Sequence, residues 1–571
     1  HEDAFRSIFR QGGISRYDLR ILCVYSSIGE LRRPNTNLYL QIIVITRYNR
    51  CPQRVITDYG SIMNIEKVTF ISPDLPYPTL VTHALFAEFG MPLIATIVRD
   101  AGYDVKAFVE HIGPVKWDQV MESDVVCFHT FSASMPTTVE YIKKIRAARP
   151  DMPIILGGTH ASVMAEDTLQ YCDVVIRQEG DETLPEVLAK WREDKDLSDV
   201  LGVTYWDNGP VRHNPDRPYT HDIDTITDLE LIDGYMDWSK PKLLWKQRMR
   251  FQLLQTSRGC PFACTFCIAP RELGQGYRMR SVDSVIADIK YQKDLVGTRY
   301  FFIVDNHFTV NRAHSKVLLQ RIIDEKINWA AVCFTRLEVS RDDEMLRLLK
   351  QAKIGTLYIG LESFDDNVLK LLNKQQDRES IEKAVKKIKS FGLNVLGSFV
   401  LGSDSDTVES IRKTIDTAIE QDVDYLALFP LSGYPEYNAP TIPLNRFFMP
   451  TWDKLDGNFV IFLPKNMKPS TLQREVSASY KRFFSPKQIL RKLVQRKFYG
   501  ALKRLGYAIQ VWEIRKATNK WADYLETIEG QYYDENEQLI ESVLGEEGVH
   551  PAQFPGSSMG AGLENAVIGG D

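Results

Sequence analysis

The stretch Thr256-Ser257-Arg258-Gly259-Cys260-Pro261-Phe262-Ala263-Cys264-Thr265-Phe266-Cys267-Ile268-Ala269-Pro270 decides how this chain reads. Its CxxxCxxC spacing puts three thiolates, from Cys260, Cys264 and Cys267, on one tight loop. The apolar run at 251–256 predicts that this loop leaves the end of a strand. Three thiolates suit a four-iron cluster whose fourth iron stays open to a small chelating ligand. The alternative is structural zinc, which needs four ligands and usually draws them from two CxxC-like pairs. The other cysteines, Cys23, Cys51, Cys127, Cys172 and Cys333, are single and far apart. They supply neither a second pair nor a second cluster.

Downstream of the loop, short apolar runs alternate with amphipathic segments, the pattern of a parallel sheet covered by helices. Strands are expected at 251–256, 300–304, 330–334, 356–360, 395–401 and 425–429, with helices at 282–294, 314–325, 342–351 and 380–391. Six βα repeats predict an open partial barrel spanning 250–465, with its chemistry at the carboxyl ends of the strands. Several of those ends are polar where a buried strand is apolar. Asp305-Asn306-His307, Thr335-Arg336, Glu362-Ser363 and Gly402-Ser403 follow four strands in turn. Ser363 and Ser403 read equally well as turn residues or helix caps. Asp305, Arg336 and Glu362 bring charge to the face that carries the cysteines. Gly274-Gln275-Gly276 reads as a turn, and Arg278 and Arg280 as anion contacts or a solvated helix start.

Upstream, residues 63–206 repeat the alternation, with strands at 68–72, 104–109, 125–129, 154–157 and 174–177 and helices at 92–101, 138–148 and 183–190. This predicts a doubly wound, flavodoxin-like domain that binds its ligand at the strand carboxyl ends. The turns there are Thr130-Phe131-Ser132-Ala133, Gly157-Gly158-Thr159-His160 and Glu179-Gly180-Asp181-Glu182. Paired glycines let a backbone approach a flat or phosphate-bearing ligand. Residues 207–249, with Asn208-Gly209-Pro210 and Asn214-Pro215, read as a linker. Residues 1–62 read as an upstream extension, with an N-terminal strand and helix as the alternative.

Taken together, Ser257-Arg258-Gly259, the cysteine spacing and Phe266 resemble the radical S-adenosylmethionine (SAM) superfamily. The turns of residues 63–206 resemble the cobalamin-binding domain fused to many of its members. YIGLESFDDNVLKLLNK, FVLGSDSDT and YLALFPLSGYPEY extend the resemblance to residue 465, although Ser432-Gly433-Tyr434 departs from the proline-glycine-threonine turn of that group. The resemblance implies a [4Fe-4S] cluster on Cys260, Cys264 and Cys267 whose open iron binds the amino and carboxylate groups of SAM, leading to a 5′-deoxyadenosyl radical. Phe266, Asp305, Arg336, Glu362, Ser363 and Gly402 would then contact SAM, and Thr130, Ser132, Gly157, Gly158, Glu179 and Gly180 would line the cobalamin slot. No DxHxxG motif is present, and His83 and His129 are the substitutes in the early turns. The lower face of cobalt is therefore left open, bound by water or bound by one of these two. The implied function is a cobalamin-dependent methyltransferase acting on an unactivated carbon. The alternatives are a cyclase or oxidoreductase without net methylation, acting on a tetrapyrrole or a lipid, and a cobalamin and iron–sulfur sensor or carrier. A small-molecule or lipid-like substrate and an electron donor such as flavodoxin or ferredoxin follow as partners.

The 571 residues, 44% hydrophobic and 25% charged, are those of a multidomain globular chain. A net charge of −5 gives no pull toward nucleic acid. No run of about twenty apolar residues and no secretory pattern are present, and unpaired cysteines fit a reducing cytoplasm. Residues 466–545 are expected to be helical and 546–571 to be disordered. Between Lys481 and Lys516 basic residues outnumber a single acid, Glu513, and interleave with Phe483, Phe484, Ile489, Leu490 and Leu493. Such a helix either lies peripherally on an anionic membrane or packs on the barrel with a solvated basic face.

Overall fold

The computed structural model describes residues 64–77, 88–207, 209–239, 251–274, 276–432, 443–447, 452–494 and 498–544. The expected extension at 1–62, the tail at 546–571, His83 and the turn beyond Ser432 lie outside them. The first sheet takes β1 (Lys67–Ser72), β2 (Asp104–Val109), β3 (Val125–His129), β4 (Ile154–Gly157), β5 (Val174–Ile176), β6 (Val203–Trp206) and β7 (Val211–His213), in the order β2-β1-β3-β4-β5-β6-β7. β1 to β5 pair in parallel and are largely buried on both faces. Val125 and Cys127 pack on one face, under α1 (Gly90–Asp100) and α3 (Thr183–Glu193). Val126 and Phe128 pack on the other, under α2 (Met135–Ala148). The strand order reverses between β1 and β3, and at such a switch point the carboxyl ends open a crevice.

β6 and β7 continue the sheet in antiparallel pairing. The stretch read as a linker is thus partly sheet. Its next segment is also packed: Leu229, Ile232 and Tyr235 are buried in the first domain's core. Gly209-Pro210 lies between the paired strands β6 and β7, and Asn214-Pro215 follows the end of β7.

The second sheet is parallel throughout, in the order β15-β14-β13-β12-β11-β8. Its strands are β8 (Gln252–Leu254), β11 (Tyr300–Ile303), β12 (Ala330–Thr335), β13 (Ile354–Glu362), β14 (Asn394–Leu401) and β15 (Tyr425–Pro430). On β13 the residues Leu357, Ile359 and Leu361 are buried in the helix-covered core, and Tyr358 and Gly360 alternate with them. The outer helices α4 (Val282–Val296), α5 (Arg312–Asp324), α6 (Asp343–Gln351) and α7 (Arg378–Ser390) match the expected segments within a few residues, and α8 (Val408–Glu420) is added to them. Between β8 and β11, β9 (Ser257–Arg258) and β10 (Arg278–Met279) form an antiparallel ribbon. The three cysteines sit in the loop that joins its two strands.

Three helices close the described chain: α9 (Pro469–Phe483), α10 (Pro486–Val494) and α11 (Phe498–Ile528). Phe483 and Phe484 are buried in the barrel's core, so the apolar stripe read from sequence is partly internal. Leu490, Leu493 and Val494 on α10 stay exposed. No described helix is long and apolar enough to cross a membrane.

Candidate active site

The cysteine loop begins at Gly259, whose φ of +90° and close approach to the Gly276 carbonyl exclude any side chain. Cys260 is buried, Cys264 and Cys267 are partly exposed, and the amide of Cys267 donates to the Cys264 carbonyl at 3.2 Å. Burial raises the thiol of Cys260, against the pull of Arg336 and Lys374, and takes that of Cys267 up to about 11. Among the described residues no three His, Cys, Asp or Glu side chains crowd closely enough to share one metal ion.

Cations back this loop. Arg336, just past β12, points Nη1 at Cys264 Sγ at 3.4 Å and lies 3.9 Å above the Phe262 ring. Lys374 Nζ is 2.6 Å from Glu362 Oε1, with both groups buried, and 5.8 Å from the Phe266 ring. Glu362 adopts φ +62°, an unusual conformation for a non-glycine residue at the end of a strand. Gly360 makes room for the pair, because a Cβ there would fall 2.2 Å from Glu362 Oε1 and 2.7 Å from Lys374 Nζ. His307 stacks on Phe262, and burial holds it down at about 4 and therefore neutral. Its Nδ1 and Asn306 Nδ2 are buried without a hydrogen-bond partner. Cations beside the cysteine sulfurs, a buried carboxylate and two unpartnered polar atoms fit a cluster with a zwitterionic ligand on it.

Three residues assigned to SAM have other work. Asp305 is buried and accepts from Thr256 N at 2.6 Å, from Ser257 Oγ at 2.6 Å and from Thr256 Oγ1. With both oxygens occupied, it fixes the cysteine loop to β11. Ser363 Oγ accepts from Asp365 N at 3.0 Å, the turn reading weighed for it, while Asp365 itself caps the short helix that follows. Gly402 packs on α9, where a Cβ would strike Leu472 at 2.4 Å. Nothing in the sequence marks Lys374, which lies in the helix-to-helix turn past β13 and joins the site through Glu362, the Phe266 ring and a 3.3 Å hydrogen bond from Arg336 Nη2 to its carbonyl.

At the switch point of the first domain, Thr130 Oγ1 donates to the Gly157 carbonyl at 2.9 Å, and Ser132 Oγ lies 2.9 Å from His160 Nδ1. Gly158 has φ +96°, and a Cβ there would sit 2.8 Å from the Thr130 carbonyl. Thr130, Ser132 and Gly158 therefore shape the rim from beneath. Gly157 and Gly180 meet only ordinary contacts at 3.7–3.9 Å. Phe131 projects from the same turn at 43% exposure, an apolar surface that fits a flat corrin ring. Glu179 departs from expectation: both its oxygens are bound by arginines of the β9–β10 ribbon.

The two sites meet. His129 pairs through Nδ1 with Glu88, which raises its pKa against burial and leaves that nitrogen unavailable to cobalt. Glu272 ends the helical turn Ala269–Glu272, five residues after Cys267. Burial pushes it up to about 7, against Thr159 and His129 beside it, which favour its charged form. Its Oε1 and Thr265 Oγ1 are buried without partners, which fits the amide-fringed edge of a corrin.

The comparisons agree with this division. Residues 254–418 match the model of the radical SAM superfamily and residues 81–188 that of the B12 binding domain. An uncharacterized methyltransferase of Pyrococcus horikoshii is 26% identical over 421 residues, covering 71% of this chain and 89% of its own. The anaerobic magnesium-protoporphyrin IX monomethyl ester cyclase of Rubrivivax gelatinosus is 24% identical over 489 residues, 77% of this chain and 85% of its own. The hopanoid C-3 methylase of Methylococcus capsulatus is 25% identical, over 58% of this chain and 64% of its own. Among solved structures, the cobalamin-dependent SAM radical enzyme OxsB shares the fold with a TM-score of 0.57 at 14% identity, over 78% of this chain and 72% of its own. The radical SAM methyltransferase TsrM from Kitasatospora setae does so with 0.53 at 17%, over 66% and 75%. The cofactors are a [4Fe-4S] cluster, SAM and cobalamin. With both domains on one chain, in this order and joined at their ligand-binding edges, the protein belongs to the B12-binding radical SAM enzyme family.

Proposed function

We propose that this cobalamin-dependent radical SAM enzyme is a methyltransferase acting on an unactivated carbon of a large, apolar substrate. The supporting observation is the junction of Glu272, Thr159 and His129, which joins the cysteine loop to the switch point of the cobalamin domain. A methyl donor and a hydrogen-abstracting centre must address the same carbon, so both need one enclosed space. When bound, the reduced cluster supplies the electron that opens the SAM sulfonium, and cobalamin supplies the methyl group. The protein's residues hold and orient. Cys260, Cys264 and Cys267 would ligate the cluster, Arg336 offset its negative charge, and Glu362 with Lys374 meet the ammonium and carboxylate of SAM. Phe131 would face the corrin, and Glu272 would hydrogen-bond one of its amides.

The methyltransferase and the hopanoid methylase among the relatives favour methylation. The cyclase favours the second reading, the same cofactors without net methylation. We place the protein in the cytoplasm, reduced by a flavodoxin or ferredoxin, with α10 touching an anionic membrane. Incubation with methyl-deuterated SAM, a reductant and separate lipid and tetrapyrrole extracts tests the proposal. A product carrying one labelled methyl group is expected, whereas a new product without label would select the cyclase reading.

A further inference from the structure

Arg258 stands two residues before Cys260, and Arg278 lies opposite it on the other strand of the ribbon. Both arginines reach into the cobalamin domain. Arg258 Nη1 is 3.1 Å from Glu179 Oε1, and its Nη2 is 2.9 Å from Asp181 Oδ1. Arg278 Nη1 is 2.7 Å from Glu179 Oε2. The four side chains are only 5–10% exposed. One carboxylate thus ties both feet of the cysteine loop to the turn after β5.

Apolar side chains of similar size would hold two domains together without the desolvation cost of burying four charges. They would not fix direction. A guanidinium shared between two carboxylates sets angle as well as distance, and an error at the feet of the loop is carried to all three cysteines. The turn holding Glu179 and Asp181 also holds Gly180, at the ligand-binding edge of the first sheet.

We propose that Glu179 is a positioning residue that couples the two cofactor sites: order imposed on its turn by cobalamin is transmitted through Arg258 and Arg278 to the cysteine loop. The inference concerns binding and holds whether or not the net reaction is methylation. Coupling of this kind is reciprocal, so each ligand tightens the other.

The test uses full-length protein with a reconstituted cluster, as wild type, Glu179→Gln and Arg258→Lys. SAM affinity and the electron paramagnetic resonance spectrum of the reduced cluster are measured with and without hydroxocobalamin. In the wild type, cobalamin should tighten SAM binding about fivefold or more, the lower end of ordinary coupling, and alter the spectrum. Both variants should keep their iron and bind each cofactor separately, yet lose that cobalamin effect. A wild type without the effect overturns the proposal. So do variants that melt earlier or hold less iron but keep the full effect in their folded fraction, since a merely structural clamp would behave that way. Should Glu179→Gln fail to fold, Asp181→Asn removes only one of the three contacts and carries the same test.

Discussion

Glu362 and Lys374 show how one pair of residues can serve both the fold and the site. The pair is buried at 2.6 Å, and removing one partner of such a pair strands the other charge, at a cost of about 3–5 kcal/mol. Glu362→Ala should therefore lower the melting temperature as well as SAM affinity, and the two losses need separating. The double variant Glu362→Gln with Lys374→Met removes both charges and should regain most of the stability. If the pair also holds SAM, affinity in the double variant stays about ten- to a hundredfold down, the loss of one charge-assisted hydrogen bond. Calorimetry and SAM titration check this, and recovery of both quantities would make the pair structural alone. Glu362 was legible in the sequence, because a carboxylate ending a buried strand calls for an explanation. Its partner was not, since nothing local marks a lysine in a turn as buried.

At the scale of elements, parallel strands largely buried on both faces fixed the architecture, and the eleven expected strands were found within a few residues of their places. What escaped were short elements made by distant partners. The β9–β10 ribbon pairs residues twenty apart, and Glu179 meets Arg258 across 79 positions, so neither leaves a periodic trace. The C-terminal helices were half legible. Their basic, apolar composition was plain, but Phe483 and Phe484 turn inward. The outward face is α10, where Leu490, Leu493 and Val494 accompany exposed Lys487 and Arg491. If this face rests on anionic lipid, cosedimentation should occur with acidic vesicles and not with neutral ones. It should weaken as salt shortens the reach of charge to about 8–10 Å near physiological strength. Changing Lys487 and Arg491 to Gln should weaken it further. Equal cosedimentation with both vesicle types, or none, leaves α10 as a buttress with a solvated face.

For the whole molecule, the carboxyl ends of the parallel strands in the two sheets bear the two sites. One edge bears the cysteine loop and the other the crevice at the switch point of β1 and β3, with Glu272 and Glu179 spanning the gap. The account rests on that loop carrying a redox cluster that acts on SAM. The most direct measurement is anaerobic reconstitution, with iron, sulfide and SAM-derived 5′-deoxyadenosine quantified for the wild type and for the variant with Cys260, Cys264 and Cys267 all changed to Ala. The expected result is about four iron and four sulfide per chain with reductant-dependent deoxyadenosine in the wild type, and none of these in the variant. A variant that keeps a full cluster, or a fully loaded wild type that never cleaves SAM, would contradict the account.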